Sequence, residues 1–505
     1  MELFQKSLIL SLIVRVWDGI IACYRRSLLC RVVNAIVDWF KRGIIWRILT
    51  APSGLEERFR DSLFYRLLTW VLNAVPRLLN LIYRKLQPTV DGSLFCRSLR
   101  FLGRRTLFFG GVVLLIMLAS PYERWNNMYG FLLSVLLLCL LWVDCAFHPE
   151  QRIDVAQVGC WPILFSTVTC LSLLWSQAFS LSFKFLFFHI TAILLVLVLV
   201  TAVRSEEQLL HLLELVAAGL LIAGIFALYQ RVSGIEANAS FTDLELNANM
   251  PGRVYSFFQN PNAYASILVM FTPLMLALTF LAKTWRQRAL VAAATAVSGV
   301  ALIMTYSRGG WLALAFAGVV LMLLLCPKWV PLLIVVGIAA FPFLPSNITN
   351  RLLTIFVGGD SSISSRNYIY SSMVRLLKEN WLLGVGLGTN ALKRGVAYYD
   401  VYFASFPFVH AHNMVLEVWG ESGIFAAISF VMTMFTTFRK GLRAKRQAGT
   451  PLLRAMVAGS VAGLAGSMLF GLTDCTWVFP RVMVLFWALV GILYCGIKLS
   501  KGSVK

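Results

Sequence analysis

Residues 183–203 read FKFLFFHITAILLVLVLVTAV, an apolar run interrupted only by Lys184 and His189. A helix of about twenty residues crosses a hydrocarbon core about 30 Å thick and satisfies its own backbone hydrogen bonds there. Similar runs recur, and reading outward from this one predicts twelve spans: 104–121, 129–147, 158–177, 183–203, 207–230, 263–282, 288–306, 310–326, 329–345, 413–437, 453–473 and 482–499. The chain is 59% hydrophobic and 13% charged with a mean hydropathy of +0.77, whereas soluble domains carry about 25% charged residues. A water-soluble protein is excluded. The expected fold class is all-α: a polytopic membrane protein of about twelve transmembrane helices with a large external loop.

The net charge of +22 does not point to nucleic acid, because the basic residues lie mainly in short connections and in the first hundred positions, where membrane topology accounts for them. Residues 1–105 carry 18 Lys or Arg against 7 Asp or Glu. Between Leu55 and Leu86 the apolar residues step by three or four, with Arg58, Arg66, Arg77 and Arg84 interspersed, the pattern of amphipathic helices. Two domains are expected: 1–103, a basic amphipathic helical extension on the cytoplasmic face, and 104–505, the polytopic domain. The extension either lies against anionic membrane lipids or packs on the protein's own cytoplasmic surface. Arg15 and Asp18 interrupt the first apolar stretch, and no cleavage pattern follows, so a removable leader is not expected. The ten cysteines lack the paired spacing of zinc or disulfide frameworks and read as small hydrophobes.

Basic connections at 283–288 and 438–454 are expected in the cytoplasm, and with an even number of spans both termini join them. That sends 231–262, 306–310, 346–412 and 474–481 outward. The 346–412 stretch is too long for a plain connection, contains its own helical run from Tyr368 to Trp381, and is expected to fold as an external cap.

The candidate chemistry lies on that face. Arg253, against the positive-inside tendency, either grips phosphate oxygens or snorkels to headgroups. Asn260-Pro261-Asn262 starts a helix, either a plain start or an anion site. Ser307-Arg308-Gly309-Gly310 makes a tight turn in which Arg308 is foremost structural. Arg366 is read at a helix start, where its charge opposes the dipole unless an anion is near. Three alternating glycines at 384, 386 and 388 allow sharp turns, without the strand and crossover of a dinucleotide site.

His410 and His412 stand where the cap re-enters the membrane. One of them suits proton transfer near neutrality. On a helix, residues two apart face away from each other, so the pair is not expected to hold a metal. Asp474 either orients a histidine or pairs with an arginine such as Arg481, the latter being the simpler reading. A cationic pocket with one proton acceptor suits a reaction with a diphosphate leaving group, the arginines replacing a metal ion. Neither metal nor cofactor is called for.

Over roughly residues 180–500, these pieces in this order resemble the bacterial O-antigen ligase and O-antigen polymerase superfamily: Arg253 with Asn260-Pro261-Asn262, Ser307-Arg308-Gly309-Gly310, Arg366 followed by Trp381 and Gly384-Val385-Gly386-Leu387-Gly388, and His412-Asn413 with Gly423. The resemblance implies a fold like that of GT-C-type membrane glycosyltransferases. It implies a metal-independent inverting enzyme of the bacterial inner membrane, transferring glycan from an undecaprenyl-diphosphate-linked oligosaccharide to the hydroxyl of a glycan, lipid or protein acceptor. Carried over residue by residue, it implies that Arg253 and Arg366 grip the carrier diphosphate and that His412 serves as base or as a further diphosphate contact; these three are the expected catalytic residues, and Arg308, Asn260, Asn262, Asp474 and His410 are expected to contact substrate. Ala426 stands where the ligase pattern has Gly, Thr or Tyr, which favours general membership over lipid A-core ligation. The competing reading is a transporter of a small anion such as bicarbonate, against which stands the scarcity of ionisable residues inside the spans beyond Lys184 and His189.

Overall fold

The computed structural model describes residues 8–43, 54–235, 252–353, 361–399 and 408–502, all helix, turn or irregular chain. The expected outward stretches 231–262 and 346–412 are described except for 236–251, 354–360 and 400–407. The chain forms two compact units, Met1–Arg58 and Phe59–Lys505. The first contains helices Leu8–Arg26 and Leu28–Arg42, separated where the Ser27 hydroxyl accepts from Cys30 N at 3.2 Å.

In the second unit the continuous periodicity of 55–86 breaks into Leu63–Leu72, Ala74–Lys85 and Gln87–Gly92, followed by Leu94–Arg104. Ser62 and Ser93 cap new helices with their hydroxyls. Asn73, buried, donates to Ile153 O at 2.8 Å and accepts from Ile153 N at 3.0 Å. Asn80 donates to Ala146 O and Trp142 Nε1 to Leu72 O. These helices therefore pack on the protein itself along one side while leaving Leu63, Leu67, Trp70, Leu78 and Leu81 exposed on the other.

The membrane helices and cap, labelled from here in chain order, are α1 (Thr106–Ala119), α2 (Asn127–Phe147), α3 (Cys160–Leu171), α4 (Phe179–Ala202), α5 (Glu206–Val232), α6 (Pro261–Thr279), α7 (Trp285–Met304), α8 (Arg308–Leu325), α9 (Val330–Ala340), the cap helices α10 (Ser346–Leu353), α11 (Ser361–Asn380) and α12 (Thr389–Val396), then α13 (Met414–Gln447), α14 (Pro451–Gly471) and α15 (Pro480–Gly502). Every expected span contains helix. Among the described residues nine helices are long and apolar enough to cross a membrane, or eleven if two bent pairs each count as one span. The bends are 65° between Leu94–Arg104 and α1, and 112° between the α9 segment and α10; α3 is shorter. The chain is a multi-pass membrane protein.

The core gathers around α6, α14 and α15, whose apolar windows are 83%, 78% and 89% buried. With lipid around them, such helices gain from close packing, which small residues permit. A Cβ on Gly463 of α14 would lie 2.0 Å from Met270 O of α6, so only glycine allows this approach. Because α6 and α14 are antiparallel, their contact brings the start of α6, with Asn262, beside the end of α14, with Asp474.

The described parts of the cap share a core of Ile369, Met373, Leu376, Val385, Leu392, Phe408 and Ala411, against which Leu416 and Trp419 of α13 pack. Its glycine loop has positive φ at Gly384 (+71°), Gly386 (+125°) and Gly388 (+94°), the sharp turns expected. The loop runs along a break in α13 at Gly423, where φ is +82° and a Cβ would lie 2.2 Å from Leu382 O. Carbonyls of Gly420 and Glu421, released by that break, accept from Val385 N and Gly386 N, both at 2.9 Å. The long helix and the loop thus complete each other's backbone hydrogen bonding.

Candidate active site

Arg253 sits in the turn that leads to α6. Gln230 of α5, buried, accepts from Tyr255 N and Ser256 N through its side-chain oxygen, and Ser256 Oγ donates to Ala223 O. This clamp holds Ser256 at φ +53°. The Arg253 side chain is 6% exposed; its Nε donates to Thr305 O and its Nη2 to Asn262 Oδ1, both at 2.8 Å. Burial, then the charge of Arg351, with Arg308 adding to them, pushes the guanidinium pKa down to about 9 against the opposing pull of Asp474. A snorkelling arginine would reach solvent. This one points inward.

Asn260 caps α6, its Oδ1 accepting from Asn262 N and Ala263 N, with Pro261 in the first turn. Asn262 relays the next contact: its Nδ2 donates to Asp474 Oδ2 at 2.9 Å. Asp474 Oδ1 meets both histidines, His410 Nε2 at 2.8 Å and His412 Nδ1 at 3.2 Å. Arg253, Asn262, Asp474, His410 and His412 therefore form one connected hydrogen-bonded array from three separate parts of the chain.

Three expectations need correction. His410 and His412 do not face apart: helix α13 starts only at Met414, His412 has φ +47°, and the two rings lie 4.0 Å apart, both on Asp474. Asp474 does not pair with Arg481, which instead donates to the carbonyls of Ser120 and Phe257 and stacks on Phe258 at 4.2 Å. Arg366 is not at a helix start, because α11 begins five residues earlier at Ser361; it sits in the second turn, where the dipole argument weakens. Arg366 still acts on both histidines by its charge. Arg308 follows the N-cap Ser307, whose hydroxyl accepts from Gly310 N, in the tight turn expected.

Among the described residues, the non-glycine positions with left-handed φ are Ser256, Tyr306 and His412. Each lies at or within three residues of Arg253, Arg308 or the histidine pair. Such conformations cost about 1–3 kcal/mol and persist where surroundings enforce them, often at functional sites.

The electrostatics separate the two histidines. Burial lowers the pKa of each, and the Asp474 hydrogen bond and charge oppose it. For His410, Asp474 together with Glu417 wins, and its pKa rises above the usual 6.5. For His412, burial prevails, aided by His410 and Arg366, and the pKa falls. Asp474, which burial alone would raise, is held well below the usual carboxylate range by hydrogen bonds from both rings. A neutral His412 with its proton on Nδ1, donated to Asp474, leaves Nε2 free to accept a proton.

Residues passed over in the sequence complete the site. Arg351 of α10 is 7% exposed and close enough to act on Arg253. Tyr370 OH donates to His412 O at 3.2 Å. Glu417, buried in α13, accepts from Ala411 N at 2.6 Å and from Thr389 Oγ1 at 2.9 Å. It ties the histidine segment to the cap. A carboxylate five residues inside an apolar span is itself a signal, and buried Glu417 and Glu421 join Lys184 and His189 as ionisable groups there. Glu417→Ala should lower turnover by about 100-fold, since misplacing a reacting group by about 1 Å costs that much. Glu417→Gln, able to accept from Ala411 N and donate to Thr389 Oγ1, should retain most activity. Initial rates of the two variants check this.

The ligand atoms of His410, His412 and Asp474 lie within 4.8 Å of one another, a spacing that admits a metal ion. The charges of Arg253 and Arg366 disfavour a divalent cation there and favour an anion. The arrangement is able to take a proton beside a cluster of cationic side chains.

No curated protein sequence matches the chain. Residues 293–431 match the family model for O-antigen ligase, a segment running from α7 into α13 that contains Arg308, Arg351, Arg366, His410 and His412, while Arg253, Asn260, Asn262 and Asp474 lie outside it. With this domain joined to multiple apolar helices, the match supports placing the chain in the O-antigen ligase/polymerase superfamily, as a membrane glycan ligase or polymerase of polysaccharide biosynthesis.

Proposed function

We propose that the protein transfers or polymerises glycan from an undecaprenyl-diphosphate-linked donor onto an acceptor hydroxyl at the outer face of the bacterial cytoplasmic membrane, with both termini in the cytoplasm. The observation that carries this reading is a pair of unmet nitrogens. Arg366 Nε and His410 Nδ1 are buried and make no hydrogen bond among the described residues. When His410 is protonated its Nδ1 is a donor, as Arg366 Nε always is, and both stand beside the His412–Asp474 pair. Buried donors without acceptors are costly, and a diphosphate supplies acceptors.

In the proposed step, His412 Nε2 accepts the proton of the acceptor hydroxyl as its oxygen attacks the anomeric carbon. The carbon–oxygen bond to phosphate breaks on the opposite side of that carbon, which inverts it, and undecaprenyl diphosphate departs with the electron pair. Arg253, Arg366 and protonated His410 neutralise the charge developing on the leaving oxygens, the role a metal ion has elsewhere. The exposed apolar side of helices 63–104, flanked by Arg66, Arg77, Arg84 and Arg97, suits seating against anionic lipid headgroups.

Purified protein, given an undecaprenyl-diphosphate-linked oligosaccharide and acceptor, should release the carrier. Absence of release, with bicarbonate uptake into vesicles that is lost in His412→Ala, would replace this reading with anion transport. The pH dependence is a second check. His412 must be neutral to act, so the acid limb should lie below the ordinary histidine pKa, activity falling as pH drops through it. His410 must be protonated to bind phosphate, so the alkaline limb should lie above 6.5, activity falling as pH rises. Rates measured from about pH 4.5 to about pH 9 should trace this bell, and His410→Gln should remove its alkaline limb.

A further inference from the structure

Next to the arginine–histidine array, across the first turn of α6, lies a cavity of about 120 Å³. Tyr122, Trp125 and Phe258 supply aromatic walls; Asn127, Gln259 and Arg481 supply polar groups. Ala263 also lines it, and Asn262, its neighbour in the chain, holds Arg253 and Asp474. The 474–481 connection likewise carries Asp474 at one end and Phe479 to Arg481 at the other. At about 30 Å³ per water a space of this size holds about four waters, a volume of the same order as one pyranose ring.

The walls are fixed. Arg481 is 6% exposed, donates to two backbone carbonyls, and stacks on Phe258 at 4.2 Å and on Trp125 at 5.4 Å. With its terminal nitrogens so committed, it is a wall and not a phosphate grip. Phe257 and Phe258, from the strained turn, stack on Phe226 and Tyr264. Asn127 Oδ1 accepts from Trp125 Nε1 at 3.1 Å, which orients its amide and leaves the NH2 group available. Gln259 is exposed and its amide has no partner among the described residues. Phe258 is already stacked against Arg481 and Tyr264, so the faces open to the C–H side of a pyranose are those of Tyr122 and Trp125, with the planar amides of Asn127 and Gln259 at the edge for its hydroxyls, which is what recognition of a neutral sugar requires.

We infer that this cavity is a glycan subsite that seats one neutral pyranose ring of the donor or the acceptor beside the reacting centre. The inference rests on the transferase reading for the source of that ring, but not for the binding itself. Binding there would hold the glycan in register with His412 and so supply positioning from a part of the substrate that does not react.

Two measurements test it on the full chain in phosphatidylcholine nanodiscs. Saturation-transfer NMR with D-glucose, D-galactose, N-acetyl-D-glucosamine and L-rhamnose should show contact between wild type and at least one sugar. That contact should be lost in Trp125→Ala and Gln259→Ala and kept in Trp125→Phe. In turnover assays the same two alanine variants should raise the KM of one glycan substrate by about tenfold, one lost pairing being worth about that factor, with kcat changed by less than about threefold. A rise for the donor assigns the ring to the donor glycan; a rise for the acceptor assigns it there. Gln259→Ala tests the idea even if Trp125→Ala fails to fold, because the exposed Gln259 side chain has no partner among the described residues.

No saturation transfer from wild-type protein to any of the four sugars would overturn the subsite. So would an unchanged KM for both substrates in Gln259→Ala. An effect of Trp125→Ala without one of Gln259→Ala would indicate an apolar occupant, such as an isoprenoid chain, and also overturn it. If wild type proves inactive as a transferase, the NMR result still decides the subsite, so the two failures are distinguishable.

Discussion

Replacing His412 by alanine should reduce turnover by about 10²–10⁴-fold with the donor KM nearly unchanged, the loss typical of a general base acting in the transition state. Asp474→Asn should have an effect of the same order. Its Oδ1 accepts from both rings and its Oδ2 from Asn262 Nδ2, so an asparagine amide would set its NH2 either against both rings, turning His412 to the wrong tautomer or orientation, or against the Asn262 NH2, breaking the link toward Arg253. The companion variant His410→Ala is expected to act differently, raising donor KM along with lowering turnover, because His410 binds phosphate in both ground and transition states. Steady-state rates with varied donor separate the two histidines. Wild-type turnover in His412→Ala would remove this residue as base.

Removing a guanidinium should cost about 10²–10³-fold in turnover, the range for one preorganised donor aimed at developing charge. Arg253→Ala and Arg366→Ala test this under different structural loads. Arg253 is buried and satisfies Thr305 O and Asn262 Oδ1, so its loss also destabilises the fold by about 1–3 kcal/mol through unsatisfied acceptors. Arg366 is only half buried and its Nε makes no hydrogen bond within the described protein, so Arg366→Ala should melt near wild type and still lose turnover. Arg253→Lys should not recover activity, since an ammonium cannot hold Thr305 and Asn262 in the same fork. Thermal unfolding measured beside rates distinguishes structural from chemical loss. An Arg366→Ala enzyme with full turnover would contradict the anion-binding role.

The sites passed over share one cause. Glu417 lies in an apolar run and is distant in sequence from Thr389, so nothing local shows that it joins the cap to the histidine segment. Arg351 belongs to a polar stretch where an arginine is ordinary, and only the fold buries it beside Arg253. The alternating glycines at 384–388 were legible as a sharp turn, but what they turn against, the break at Gly423, depends on a contact made across the cap.

The sequence alone determined that the chain is helical and membrane-spanning, where its spans lie, and which cations and histidines stand between them. Those properties follow from transfer of apolar runs out of water and from backbone groups that must bond within each helix, and both act locally. Only the tertiary structure decided that His410 and His412 converge on Asp474, that Asn262 links them to Arg253, and that Arg481 belongs to a neighbouring aromatic cavity. Helix contacts such as Gly463 against Met270, together with side-chain clamps on left-handed turns, set those distances, and their energies depend on residues hundreds of positions apart.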